Sequence, residues 1–320
     1  MDKVDKWVEG NCKEAYSLMK IAEKGNVHHS VSTGRIPNIL EEVEIAEEVW
    51  KGWWNREGCK DVQECLRQYE SPLVGVPFSV QMLRESGRSF KKNTASIDEW
   101  HIRSLAEMPE AGLRCLSMLW QISEAAGEWP EWEQMAITYL IPKQSGEGTR
   151  PVTVFRSLFI WYGKLLAKEA GVWAAQHAGH QVNNLKGRET LDATYREQAR
   201  AEARKRLGIM SVEVGKDVKK AFEQVFRWIL VQHGIGRKYP RRALWMSLMS
   251  YTWKRRMCLQ GVFGRKIGSN IGIVAGSPFA VQELTLIMCK GVEYWKQMNP
   301  MGMHFNSRGR YRHLNVGQIC

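Results

Sequence analysis

The sequence has no CxxC pair. Its seven cysteines, Cys12, Cys59, Cys65, Cys115, Cys258, Cys289 and Cys320, are odd in number and scattered, which argues against a disulfide framework and a zinc ribbon and for a reducing compartment. No run approaches the roughly 18 uninterrupted apolar residues of a membrane span. The N-terminal stretch MDKVDKWVEGNCKEAYSLMK carries charges throughout in place of a signal-peptide apolar core. The expectation is a soluble intracellular protein, nuclear or cytoplasmic, with no membrane partner. A GxxxxGK[ST] loop is missing, which excludes a Walker-type phosphate site. Downstream of Asp217 there is no aspartate at all; Glu223, Glu283 and Glu293 are the only acidic residues left. Internal repeats and low-complexity tracts are also absent.

What is present is basic charge, unevenly placed. The chain of 320 residues carries a net +12. Residues 1–100 hold 14 Lys+Arg against 17 Asp+Glu, net −3, which leaves 32 against 17, net +15, for residues 101–320. Tryptophans lie among the arginines in YTWKRRM and EQVFRWIL. A block of this kind suits a polyanion, most commonly nucleic acid. A solvated basic surface is the plain alternative.

The length allows a substantial core and either two domains or one with an extension. In PNILEEVEIAEEVWKGWW, Ile39, Val43, Ala46, Trp50 and Trp53 share one helical face, with Asn38 and Glu41 placed as a capping box. Breaker-rich ESPLVGVPFSV and the basic loop GRSFKKNTASIDEW follow, so residues 1–90 read as a helical N-terminal extension with a boundary near residue 90. LRCLSMLWQISEAAGEWPEW is a helix stopped at Gly127 and Pro130. MAITYLIPKQSGEGTRPVTVF is a hairpin, followed by helices over 157–176 and 189–206. A short strand, GIMSVEV, leads to a helix from near Lys219 that carries Phe222, Val225, Phe226, Ile229 and Leu230 on one face and ends at Gly234. RRALWMSLMSYTW is a helix and MCLQGVFGRKIGSNIGIVAG a second hairpin. In SPFAVQELTLIMCKGVEYW, Ser277 is placed as the N-cap and Pro278 at the first helical position.

Three stretches could carry chemistry. Asp217 sits where a strand hands over to a helix, a place where metals and ligands collect, although an aspartate there also serves as an ordinary helix cap. Two-metal phosphoryl transfer needs carboxylates from at least two segments, so Asp217 supplies half of such a site. Lys143 and Arg150 flank the glycine-rich turn of the first hairpin. They could grip a triphosphate through charge-assisted hydrogen bonds, or stay solvated. Gly276, Ser277 and Pro278 open a helix and could offer backbone N–H groups to phosphate, or simply start the helix well. His177 and His180 have no third ligand nearby in sequence.

IPK, GEGTRPV, GRETLDA, DVKKAFEQV and GIVAGSPFA follow one another in an order that resembles successive motifs of reverse transcriptases, closest to the non-LTR (LINE-type) and group II intron-like enzymes. NTASIDEW and GEWPEW resemble the approach to the fingers, so the likeness covers roughly residues 90 to 290. It implies an α+β fold, the fingers and partial palm of a right-hand polymerase, mostly helical around a small antiparallel sheet over residues 91–320. It implies that Asp217 is catalytic and ligates Mg²⁺ or Mn²⁺, and that Phe222 stacks on the sugar of the incoming dNTP. Lys143 and Arg150 would contact the triphosphate. Gly276, Ser277 and Pro278 would line the nucleotide side, with RNA template and DNA primer as partners. Glu223 stands where the family usually has a second acidic residue, and Ala275 where it often has glutamine. The family's aromatic-x-Asp-Asp hairpin has no counterpart, and the basic stretch after residue 298 has no strand pattern. A polymerase domain truncated or frame-shifted before its second carboxylate motif, inactive alone, is the expectation. The alternatives are a remnant that only binds nucleic acid and a helical interaction protein.

Overall fold

The structure is a computed structural model that describes residues 38–67, 75–94, 96–142, 149–178, 190–208, 220–298, 304–306 and 310–312. It is an α+β fold. Helix α1 (Ile39–Trp54) begins where Asn38 accepts a hydrogen bond from Leu40 N at 3.2 Å, with acidic Glu41 and Glu42 in its first turn and basic Lys51 in its last. Both choices complement the helix dipole. Its buried residues are Val43, Glu47, Trp50 and Trp54, so a carboxylate occupies the middle of the expected apolar stripe and Trp54 goes deeper than Trp53.

Short helices α2 (Val62–Arg67), α3 (Val80–Arg88) and α4 (Ile102–Leu105) lead to α5 (Glu110–Ala126). Helix α5 ends on Gly127 in the left-handed region, φ 67°, with Pro130 beyond, a glycine stop followed by a residue that cannot continue the helix. The first hairpin forms as expected: β1 (Ala136–Pro142) and β2 (Thr149–Phe155) pair antiparallel, from Ala136 opposite Phe155 to Pro142 opposite Thr149. Helices α6 (Ser157–His177) and α7 (Thr190–Arg206) follow.

The helix expected from Lys219 does not form there. Phe222–Gln224 make one 3₁₀ turn, Val225 and Phe226 are extended, and α8 spans Arg227–Gly236. Lys220 has φ 56°, outside the helical region. The carbonyls of Phe222 and Val225 accept from Ile273 N (2.9 Å) and Gly272 N (2.8 Å). A spacing of three and four therefore reflects burial against a loop as well as it would a helix. Helix α8 also runs past Gly234, which is buried, to Gly236.

Helix α9 (Arg241–Tyr251) leads to the second hairpin, β3 (Arg255–Leu259) and β4 (Val262–Ile267). Its turn residues Gln260 and Gly261 both have positive φ, 49° and 85°, the two-residue turn that matches strand twist. Helix α10 starts at Ala280, not Pro278, and spans Ala280–Met298. Ser277 Oγ accepts from Phe279 N at 3.3 Å, so it caps a turn just before the helix. Strands β5 (His304–Asn306) and β6 (Arg310–Arg312) form a separate antiparallel pair within the stretch that showed no pattern.

The main sheet has the order β2-β1-β3-β4. It is mixed where an all-antiparallel sheet was expected, because β1 and β3 run parallel, Ala136 opposite Arg255 through Tyr139 opposite Cys258. Each hairpin is a local event that alternation can signal. The direction in which the hairpins join is set by the intervening helices and leaves no local mark.

Two cores hold these elements. In the larger, aromatic rings meet edge to face, Trp129 on Tyr162 at 5.0 Å and 90° and Trp120 on Trp161 at 5.9 Å and 87°, the geometry that ring quadrupoles favour. Val62, Leu66, Phe78, Leu83 and Phe90 belong to it together with Phe155, Trp253 and Phe279, so residues on both sides of position 90 share one core. In the smaller, Trp50 and Trp54 of α1 pack on Leu140, Met257 and Ile267 of the sheet. Glu47 adds hydrogen bonds from the backbone N and Nε of Arg265. Helix α1 therefore covers one face of the sheet. No helix among the described residues is long and apolar enough to cross a membrane.

Candidate functional site

The loop 268–279, between β4 and α10, joins three segments that are distant in sequence. Ile273 and Gly272 donate to the Phe222 and Val225 carbonyls, and Thr153 N of β2 donates to Ala275 O at 2.9 Å. Gly276 (φ 107°) rests directly on β2; a Cβ there would lie 2.0 Å from Thr153 O. Pro278 packs into the gap left by Gly163 of α6, where a Cβ would meet Pro278 Cγ at 2.2 Å. Ser277 Oγ hydrogen-bonds the Tyr251 hydroxyl at 3.2 Å. The Tyr251 hydroxyl also donates to Glu283, which accepts a second bond from Ser247.

Buried Arg227 fixes the start of this loop. Its Nε donates to Gly272 O (3.0 Å), Nη1 to Ser269 O (2.8 Å), and Nη2 to Ser269 Oγ (2.7 Å) and Ile271 O (3.2 Å). Burial, aided by the like charge of Arg255, pushes its pKa down to about 9. Arg255 itself lies over the Trp54 ring at 4.0 Å, and burial pushes it down to about 10 against the pull of Glu223. Arg227→Met keeps the bulk of the side chain but leaves three carbonyls short of a donor. It is expected to destabilise the fold by about 1–3 kcal/mol, checked by urea unfolding, with Arg227→Lys intermediate because it lacks the planar fork.

The carboxyls near this junction do not suit a metal. Glu223 is buried and desolvation raises its pKa. Glu283 is fully buried and raised to about 7 by desolvation, with the Ser247 and Tyr251 hydroxyls pulling the other way. Glu293 is paired with Arg237. Buried or already paired, none of the three presents a free carboxylate to a cation. Among the described residues, no group of three or more His, Cys, Asp or Glu is placed to hold a metal ion. His177 stacks on Trp173 with ring centroids 4.8 Å apart and bonds its carbonyl, a packing role.

Asp217, Lys143, His180 and the GIMSVEV strand beyond Gly208 lie outside the described residues. Of the other expected site residues, Phe222 is half-buried and packs against the main core. Ser277 is buried, and Gly276 and Pro278 are engaged with β2 and α6. Arg150 is exposed on β2, opposite Ile141. The structure thus joins Phe222, Gly276, Ser277 and Pro278 to the strand that carries Arg150. The sequence does not single out Arg227, and it shows Glu283 only as a remaining acidic residue and not as a buried one; both lie on helical stretches where a charged residue normally faces water, so no local signal marks their burial.

No protein-family model matches the chain, and a search of curated proteins finds no match.

Proposed function

We propose that the chain is a reverse transcriptase-like domain, fingers and partial palm, of the non-LTR or group II intron-like kind. On this reading it takes RNA template, DNA primer and dNTP but does not catalyse RNA-directed DNA synthesis alone. The observation that supports it best is the convergence of motif segments. GIVAGSPFA is bonded through Ile273 to Phe222 of DVKKAFEQV, and through Ala275 to Thr153, the residue directly after GEGTRPV.

In that family a primer 3′-hydroxyl attacks the α-phosphate of a dNTP while two divalent ions stabilise the developing charge. Asp217 would contribute to holding Mg²⁺ or Mn²⁺. Residues 218–320 hold no aspartate, so these residues do not supply the second set of ligands. Primer extension on an RNA template with Mg²⁺ or Mn²⁺ is expected to give no product; synthesis that disappears in Asp217→Ala would overturn the claim of inactivity. Binding of dNTP is expected to weaken about tenfold to a hundredfold in Arg150→Ala and in Lys143→Ala, the range for one charge-assisted hydrogen bond. Unchanged dNTP affinity in both would sink the nucleotide-site reading.

A second reading, a non-catalytic nucleic-acid-binding remnant, is favoured by the cationic sheet. It requires affinity that falls with salt and does not respond to dNTP.

A further inference from the structure

Strands β1 to β4 contain Arg150, Arg255, Arg256, Arg265 and Lys266 and not one carboxylate. Helix α1 covers the face that carries Leu140, Met257 and Ile267. On the opposite face, strand register sets Val152, Tyr139, Cys258 and Phe263 side by side in one row across all four strands. Tyr139 and Val152 are each 38% exposed and Phe263 50%, with Cys258 buried between the Tyr139 and Phe263 positions. Exposed cations flank this row. Arg150 lies on one side, opposite Ile141, while Arg256 and Lys266 lie as a cross-strand pair on the other.

We propose that this open face is a stacking platform for a single strand of nucleic acid. Rings on β1 and β4 stand two strands apart, about 10 Å, leaving room for bases to lie on each, and the cations on both sides match a phosphate backbone that runs past them. A base has a flat face whatever its identity, so the platform reads single strands with little sequence preference. Ile137 with Val154 on one side and Ile141 on the other continue the apolar surface along β1 and β2, so a partner helix or a second copy of this chain is the competing occupant. What favours a polyanion is Arg150, Arg256 and Lys266 on a sheet whose strands hold no carboxylate. A duplex keeps its bases stacked inside and offers only phosphates. The inference goes beyond the polymerase reading, because it requires neither dNTP nor metal.

The test is fluorescence anisotropy of the full chain with a labelled oligonucleotide of about 12 nucleotides, in EDTA and without dNTP. Tyr139→Ala and Phe263→Ala are each expected to weaken binding about 5- to 150-fold, the range for losing one stacked base. Tyr139→Phe should bind like the unaltered chain, which separates loss of the ring from loss of the fold. Arg256→Gln together with Lys266→Gln should flatten the slope of log affinity against log salt by about 1.4, some 0.7 per phosphate contact on a single strand. Arg114→Gln, on α5 away from the sheet, should change nothing. Alanine variants that bind like the unaltered chain, or a duplex that competes as well as the single strand, would overturn the platform. A chain that binds single strands but shows no Arg150-dependent dNTP site removes only the polymerase reading.

Discussion

Gly276→Ala is expected to destabilise the fold by about 4 kcal/mol, from a side chain at a φ reserved for glycine and a clash with backbone. The φ of 107° lies where L side chains are strained, and the new Cβ would sit 2.0 Å from Thr153 O and 3.0 Å from Thr153 C. The strand cannot simply move aside. Thr153 N is bonded to Ala275 O at 2.9 Å, and the Thr153 hydroxyl is 2.9 Å from the Thr138 hydroxyl on the neighbouring strand. Gly268, in the same loop with nothing within 4 Å of its built Cβ, is the internal control: its alanine variant should unfold at or slightly above the parent midpoint. Urea unfolding followed by tryptophan fluorescence gives both numbers. A Gly276→Ala variant within about 0.5 kcal/mol of the parent, the range of an ordinary surface substitution, would show that the loop does not rest on β2 as described.

The second large effect is a loss of stability as pH rises from about 5 to about 8. Desolvation raises Glu133 to about 8 and Glu283 to about 7 from an ordinary 4.5. Between 4.5 and those values the folded protein binds more protons than the unfolded chain, so stability falls with rising pH. Their contribution is fully present below 4.5 and lost as pH passes through 7 and 8. At about 1.4 kcal/mol per pKa unit, Glu283 alone accounts for about 3 kcal/mol across that window. His233, held below 6.5 mainly by desolvation, works in the opposite sense in the acid part of the window. The exposed Glu107 and Glu110, lowered chiefly by bonds to Arg88 and Arg114, act below 4.5. Urea midpoints at pH 5, 6, 7 and 8 check this, and Glu283→Gln, neutral throughout, should flatten part of the decline. A midpoint that rises steadily from pH 5 to 8 would contradict the buried neutral carboxyls.

The elements that the sequence announces are those whose cause is local. The helix ending at Gly127, both hairpins and the Asn38 cap follow from turn glycines, alternation and capping within a few residues. The stretch after Lys219 misleads because burial of Phe222, Val225 and Leu230 against the core and the loop 268–279 imitates a helical stripe. Glu47, Glu223 and Glu283 are buried carboxyls that no periodicity argument would place inside, since the groups they face include residues far along the chain. Of the candidate site, the motif order is visible in sequence. The seating of Gly276 on β2 is not, and neither is the row Val152, Tyr139, Cys258 and Phe263, because both require knowing which strands are neighbours.

The parallel union of β1 and β3 has a consequence for how the chain reaches this fold. Each hairpin closes over a short loop and can form early, yet the residues that join them, Ala136 and Arg255 among them, lie about 120 positions apart. The chain must gather the intervening helices before that contact can stabilise anything, and such non-local pairing slows folding. Until the hairpins meet, β1 and β3 each present an unpaired edge, the surface that most readily recruits a neighbouring chain. The join at the centre of the sheet is thus both the late step in folding and the point at which crowding would divert it.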